Sequence, residues 1–140
     1  MRLIVDTNIL FSFFRENPVR HILINAKPLN LELFTPQYAF QELMNNKKQL
    51  FKYARFKSEE EFVAAMTNLQ SCIREKPLSF FKEYSAQGKK ISPDEKDSPF
   101  FALALKIGAG IWTNEPRLKK QKVIKVLSTK DLREYLSKEN

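Results

Sequence analysis

Short apolar runs alternate along this chain with longer stretches in which apolar residues return every three or four positions. The runs Leu3-Ile4-Val5, Leu31-Glu32-Leu33-Phe34, Leu78-Ser79-Phe80-Phe81, Gly110-Ile111-Trp112-Thr113 and Val123-Ile124-Lys125-Val126-Leu127 predict strands. The first and fourth are nearly continuous in apolar character, as expected of strands covered on both faces. Strands separated by helical patterns argue for βαβ units around a mostly parallel sheet, so the fold class is α/β.

Helix punctuation is clear at several points. Thr35 and Pro36 form an N-cap and a first-turn proline before a helix expected to run through about Leu50. Ser58-Glu59-Glu60-Glu61 is a capping box, and Phe62, Met66, Leu69 and Ile73 line one face of the helix it opens, with Val63 beside them. Ser92-Pro93-Asp94-Glu95 is a second capping box, opening a helix through Asp97 to Ile107 that Gly108 ends. That helix is apolar on most sides, which predicts packing between layers. Ser128 or Thr129 caps a last helix through about Leu136. No repeat, low-complexity segment or linker divides the chain, and residues 1–140 read as one domain.

Composition narrows the function. With 24 Lys+Arg against 16 Asp+Glu, the formal net charge of +8 favours a polyanionic partner, nucleic acid being the commonest. A single cysteine, Cys72, excludes an intrachain disulfide and a Cys-rich zinc site, and a single histidine, His21, argues against a histidine-based metal site or relay. Three glycines, none in a Gly-rich phosphate loop, argue against a nucleotide-binding module of flavodoxin type. The first apolar run is broken by Asp6 and Asn8, so it is no signal peptide, and nothing approaches a membrane span; the expectation is a soluble, cytoplasmic protein.

Against this basic background a few acidic residues stand where a solvated carboxylate is not expected. Asp6 ends the first strand and Glu115 follows the fourth, the strand ends where open α/β sheets place ligand sites. Asp97 shares a face with Phe101, Ala104 and Leu105, and Asp94 lies one turn before it. Each has a plainer reading. Asp6 can cap the helix beginning near Asn8, Asp94 can complement a helix dipole, and Glu95 can serve its capping box. Thr113-Asn114-Glu115-Pro116 is also turn chemistry, and Glu42 can be a solvated helix residue. Taken together they point elsewhere. Clustered carboxylates repel, and a hard cation such as Mg²⁺ or Mn²⁺ makes such a cluster favourable. A basic surface for phosphodiesters with an acidic pocket for a metal is the combination a metal-dependent nuclease needs, the metal activating a water for in-line attack on phosphorus.

At these residues the chain resembles the PIN domain family. Val5-Asp6-Thr7-Asn8 is similar to that family's opening motif. Asp97 with Phe101-Ala102-Leu103-Ala104 resembles its third acidic position and the helix that follows, and Trp112-Thr113-Asn114-Glu115 its acidic strand-end motif. Glu42 matches the family's glutamate in order and context, and the resemblance spans about residues 1–127. It implies a three-layer α/β/α fold with a short central parallel sheet and a Mg²⁺- or Mn²⁺-dependent ribonuclease site. Asp6, Glu42, Asp97 and Glu115 would be its catalytic, metal-binding set, with Asp94 auxiliary. Asn8 and Thr113 would orient carboxylates or substrate, beside Asn114. Many small PIN proteins are toxins of the VapC type, dimeric and paired with a small antitoxin; others act in RNA processing.

One departure stands out. The family usually has Asp where this chain has Glu115, and the extra methylene moves the carboxylate by roughly 1.5 Å. Pro116 restricts Glu115 to extended conformations. Arg117, Lys119, Lys120, Lys122 and Lys125 follow closely, placed to hold phosphates. Lys47, Lys48, Lys52, Arg55 and Lys57 form another basic stretch with Phe51, Tyr53 and Phe56 interleaved. Such aromatics stack on unpaired bases or pack a helical hairpin or a dimer partner, and packing is the favoured reading. Two function classes follow: an endoribonuclease acting on single-stranded or structured RNA, and a catalytically silent PIN-like module that binds RNA or a protein.

Overall fold

The structure, a computed structural model, describes residues 1–138. In chain order the first half comprises Arg2–Val5 (β1), Thr7–Ser12 (α1), Pro18–Ile24 (α2), Glu32–Pro36 (β2), Gln37–Asn45 (α3), Lys47–Ala54 (α4) and Glu59–Cys72 (α5). There follow Arg74–Lys76 (β3), Leu78–Phe81 (α6), Ser85–Ile91 (α7), Ser98–Ile107 (α8), Gly110–Trp112 (β4), Val126–Leu127 (β5) and Thr129–Lys138 (α9). Short 3-10 turns occupy Lys82–Tyr84, Glu95–Asp97 and Pro116–Lys120. The strands form one parallel sheet of five in the order β3-β2-β1-β4-β5, flanked by helices as a three-layer α/β/α fold.

The central strand β1 buries Leu3, Ile4 and Val5 completely, because helices cover both faces. Its register sets Val5 beside Trp112 of β4 and Ile4 beside Phe34 of β2. Gly110 belongs in β4 for want of a side chain: a Cβ there would stand 3.0 Å from the Lys125 carbonyl oxygen. Helix α8 packs across β1, β2 and β4 and buries Phe100, Phe101, Ala102, Leu103 and Ala104. Each large side chain so buried contributes about 1.5–3 kcal/mol. Among the described residues no helix is long and apolar enough to cross a membrane.

The structure corrects several sequence expectations. Leu78-Ser79-Phe80-Phe81 is helix α6, not a strand. Only Phe81 of the four is buried, while Leu78 is exposed, and a short apolar run carries no period of its own to tell helix from strand. The third strand is Arg74–Lys76, whose charged residues suit a sheet edge. Residues 123–127 reduce to a two-residue strand, with Val123 exposed. Thr35 is no N-cap; it lies in β2 and donates its hydroxyl to the Val5 carbonyl at 2.7 Å, tying β2 to β1. The helix expected through Leu50 breaks at Asn46, whose amide side chain donates to the Glu42 carbonyl at 3.0 Å. Ser92 does not open α8; Asp94 caps the 3-10 turn and Asp97 takes the N-cap position.

Other signals held. Ser58 accepts from the Glu61 amide, Gly108 ends α8 with a positive φ of 75°, and Ser128 and Asp131 cap α9 reciprocally. Phe62, Met66, Leu69 and Ile73 are buried, although Val63 is not. Phe51 and Phe56 pack against Phe62, and Phe56 also against Phe14, so the aromatics of the second basic stretch serve the core.

Gly88 of α7 lies against the first turn of α8, where an added Cβ would come within 2.8 Å of the Ser98 carbonyl oxygen and 3.0 Å of the Ala102 Cβ. A glycine-to-alanine change inside a helix ordinarily gains up to about 1 kcal/mol, whereas overpacking costs about 1–3 kcal/mol. The backbone contact decides the sign. Gly88→Ala is expected to destabilise by about 1–2 kcal/mol in urea denaturation; a stabilised variant would mean that α7 and α8 can separate freely.

Candidate active site at the carboxyl edge of the sheet

Chain order reverses beside β1, which leads to β2 on one side and pairs with β4 on the other. Such a switch point opens a crevice beyond the carboxyl ends of the strands. Asp6 stands there, 6% exposed. One carboxylate oxygen accepts from the Ile9 amide at 3.0 Å, capping α1, and the other accepts from the Thr113 hydroxyl. The cap and the site residue are therefore the same group. Thr113, just past β4 and fully buried, also accepts from the Glu115 amide at 3.0 Å.

Glu42, on α3, accepts from the Thr7 hydroxyl at 2.6 Å. Asp97 occupies the N-cap position of α8 but makes no capping hydrogen bond with its side chain. Glu115 has extended backbone (φ −86°, ψ 109°), as a residue before proline should. Its Oε1 accepts from the Arg117 amide at 3.2 Å and from Arg117 Nε at 3.1 Å. Asp6, Glu42, Asp97 and Glu115 line one cleft of about 180 Å³, together with Lys96 and Arg117.

The remaining sequence candidates divide. Asn8 lines this cleft. Asp94 borders it, pairing with Arg117 at 3.4 Å and accepting from the Lys96 amide at 3.2 Å. Asn114 points away: it accepts from the Thr129 amide at 2.7 Å and lines a separate cavity of about 1180 Å³ between α2 and α9. Although larger, that cavity contains none of the four carboxylates. Lys119 pairs with Asp131 of α9, and neither it nor the exposed Lys120 lines the cleft. Thr7, Asn46, Lys96 and Phe100 line it without having been singled out as site residues. Thr7 lay inside the opening motif; the adjacent pair Asn45-Asn46, whose side chains compete for backbone hydrogen bonds, is a local signal that the sequence reading passed over.

The electrostatics follow from burial. Removal from water, chiefly, pushes the Asp6 carboxyl up to about 6; the Thr113 and Ile9 hydrogen bonds oppose the rise and Asp97 adds to it. Asp97 is also raised, first by burial and then by Asp94, with Lys96 and Arg117 opposing. Glu115 is lowered by the Arg117 amide and guanidinium. Tyr38 is raised by burial and then by the neighbouring Glu42 charge.

The all-oxygen donor set suits a hard divalent cation. Among the described residues, however, no three such groups converge at ligand spacing. Glu42 is turned to Thr7 and Glu115 to Arg117, so the chemistry fits while the side chains are held apart.

A model of the PIN domain family matches residues 4–137. The chain belongs to the PIN domain family, whose members are generally nucleases. Two solved structures share the fold. One is VapBC2 from Rickettsia felis bound to a DNA fragment from its promoter, at 14% identity and a TM-score of 0.61, covering 91% of this chain and 98% of that one. The other is PAE2754 from Pyrobaculum aerophilum, at 15% identity and a TM-score of 0.59, covering 99% and 90%. No curated protein matches the sequence.

The Asp6 shift has a testable sign. Its carboxyl titrates near 3.8 unfolded and about 6 folded, so the native state binds the proton more tightly. Stability therefore falls as pH rises across that window, by roughly 3 kcal/mol in all at about 1.4 kcal/mol per unit. Asp6→Asn keeps an acceptor for the Ile9 amide and removes the charge. In EDTA it is expected to exceed wild type at pH 7 by about 1–3 kcal/mol in urea denaturation, the gap closing by about pH 4. A variant less stable than wild type at pH 7 would contradict the burial cost.

Proposed function

We propose that the protein is a metal-dependent endoribonuclease, cleaving single-stranded or structured RNA, and the toxin of a toxin–antitoxin pair. The observation that carries the reading is the gathering of Asp6, Glu42, Asp97 and Glu115 from separate segments into one cleft at the β1/β4 switch point. The cap and the Thr113 bond do not offset the cost of burying Asp6 ionised, and Asp97 leaves a helix start uncapped. Both costs are repaid by a bound cation.

In this reading Asp6, Glu42, Asp97 and Glu115 hold Mg²⁺ or Mn²⁺, with Asp94 at the margin. When bound, the ion supplies Lewis-acid activation of water and neutralises charge developing on the phosphate. Thr113 fixes the Asp6 carboxylate and Thr7 fixes Glu42. Asn8 reaches the substrate from the rim, and Arg117 and Lys120 attract its phosphates; Lys119 joins them only by leaving Asp131. The water oxygen bonds to phosphorus, the P–O3′ bond breaks and O3′ takes a proton, leaving 5′-phosphate and 3′-hydroxyl ends. The VapBC2 neighbour is solved as a complex on promoter DNA, which supports a small antitoxin partner here. The reading includes a single domain over 1–140, a homodimer and a cytoplasmic setting.

A catalytically silent RNA- or protein-binding module is the second reading, favoured by one observation: Glu115 is engaged by Arg117. Incubating mixed-sequence single-stranded RNA with purified protein in Mn²⁺, Mg²⁺ or EDTA separates the two. Cleavage is expected with a divalent ion only, and to fall by more than about 100-fold in Asp6→Asn and Asp97→Asn purified identically. RNA binding without cleavage in either ion would favour the silent module.

A further inference from the structure

The cleft is not evenly charged. On one side Asp6 and Glu42 meet neutral donors: the Thr113 hydroxyl and Ile9 amide at Asp6, and the Thr7 hydroxyl at Glu42. Asp97, between the two sides, makes no capping bond and feels Lys96 and Arg117 only through their charge. On the other side Glu115 and Asp94 share Arg117, whose Nε lies 3.1 Å from Glu115 Oε1 and whose Nη1 lies 3.4 Å from Asp94 Oδ2. Lys96 adds a second positive charge there, acting on both Glu115 and Asp97.

Local folding fixes that arrangement. Pro116 begins a 3-10 turn, Glu115 caps it through the Arg117 amide, and Leu118, buried, anchors it in the core. Arg117 thus grips one oxygen of Glu115 with both its backbone and its side chain. Arginine cannot lose its charge, so the neutralisation is permanent. As an exposed ion pair it contributes little to stability. Its consequence lies in position. Two-metal sites hold ions roughly 4 Å apart on shared carboxylates, and an ion at Glu115 would find Oε1 taken by both Arg117 donors, would be left Oε2 alone, and would stand beside a guanidinium.

We infer that Arg117 takes the place of a second cation, so that the cleft holds a single divalent ion, between Asp6, Glu42 and Asp97. This rests on reading the cleft as a divalent-cation site whose side chains close on the ion from the separated positions they hold here. It narrows the ligand set of that reading to three by withdrawing Glu115. The longer reach of Glu115 is then matched to an internal partner, the guanidinium, and not to an ion.

The test is Mn²⁺ titration of the full-length protein, following free Mn²⁺ by electron paramagnetic resonance. Wild type is expected to take up one ion per chain, lost in Asp97→Asn. Arg117→Met keeps an apolar stem at a half-exposed position and is expected to take up two, the second lost again when Glu115→Gln is added. Two ions in wild type, or one ion of unchanged affinity in Arg117→Met, would overturn the inference while leaving the cation site standing. No uptake by either protein, with far-ultraviolet circular dichroism unchanged, would remove the cation site and the inference with it. Single-ion uptake unaffected by Asp97→Asn would refute the placement.

Discussion

The seam between β1 and β4 governs the rest of the site. Val5 and Trp112 are paired in register, so Asp6 and Thr113 are the next residues along two neighbouring parallel strands. Parallel pairing points both chains out of the same edge, and the hydroxyl of one meets the carboxylate of the other. The consequence is a carboxyl group denied water yet given only neutral donors, which is why its affinity for a proton rises. A proton and a divalent cation are alternative answers to the same uncompensated charge.

The third carboxylate arrives by packing and not by pairing. Helix α8 is apolar almost all round and runs across β1, β2 and β4, with its first turn at the strands' carboxyl edge. Its N-cap position therefore falls over the crevice, and Asp97 occupies it. An aspartate there would ordinarily accept from an amide one turn on, a contribution of about 1 kcal/mol. Asp97 makes no such bond. Gly88 lets α7 approach the same turn closely, so the placement of Asp97 depends on contacts well removed from the cleft.

How much of this was legible depended on whether a residue's signal was local. The buried strands β1 and β4, the Ser58 box and the Gly108 stop are written in adjacent residues, and they read correctly. Thr35 did not, because Thr-Pro before an apolar helix pattern is a cap signal, whereas its hydroxyl is taken by Val5 from the adjacent strand thirty positions earlier. Edge strand β3 was invisible for the opposite reason: a sheet edge needs no apolar run, so Arg74-Glu75-Lys76 leaves no hydrophobic trace. At the site, strand ends singled out Asp6 and Glu115 and an apolar helix face singled out Asp97, whereas Glu42 entered only through the family resemblance. What each is bonded to was not legible: Asn114 faces α9, Lys119 is drawn to Asp131, and Thr7 holds Glu42. Those pairings join segments far apart in sequence.

The departure at Glu115 is best understood through its neighbours. An aspartate there would end one methylene nearer its own backbone. The longer glutamate folds back, with Pro116 presetting the turn, and reaches the Arg117 amide and guanidinium together. That same guanidinium reaches Asp94 across the cleft rim. Residues 115–117 thus form one unit in which chain length, proline and arginine are mutually adjusted. Shortening Glu115 alone would draw its carboxylate back from the Arg117 guanidinium while leaving it able to accept from the amide two residues on, as Asp94 does from Lys96. The position is therefore coupled to Arg117 first and to the other carboxylates only through it, and any account of the departure has to treat the two residues as a pair.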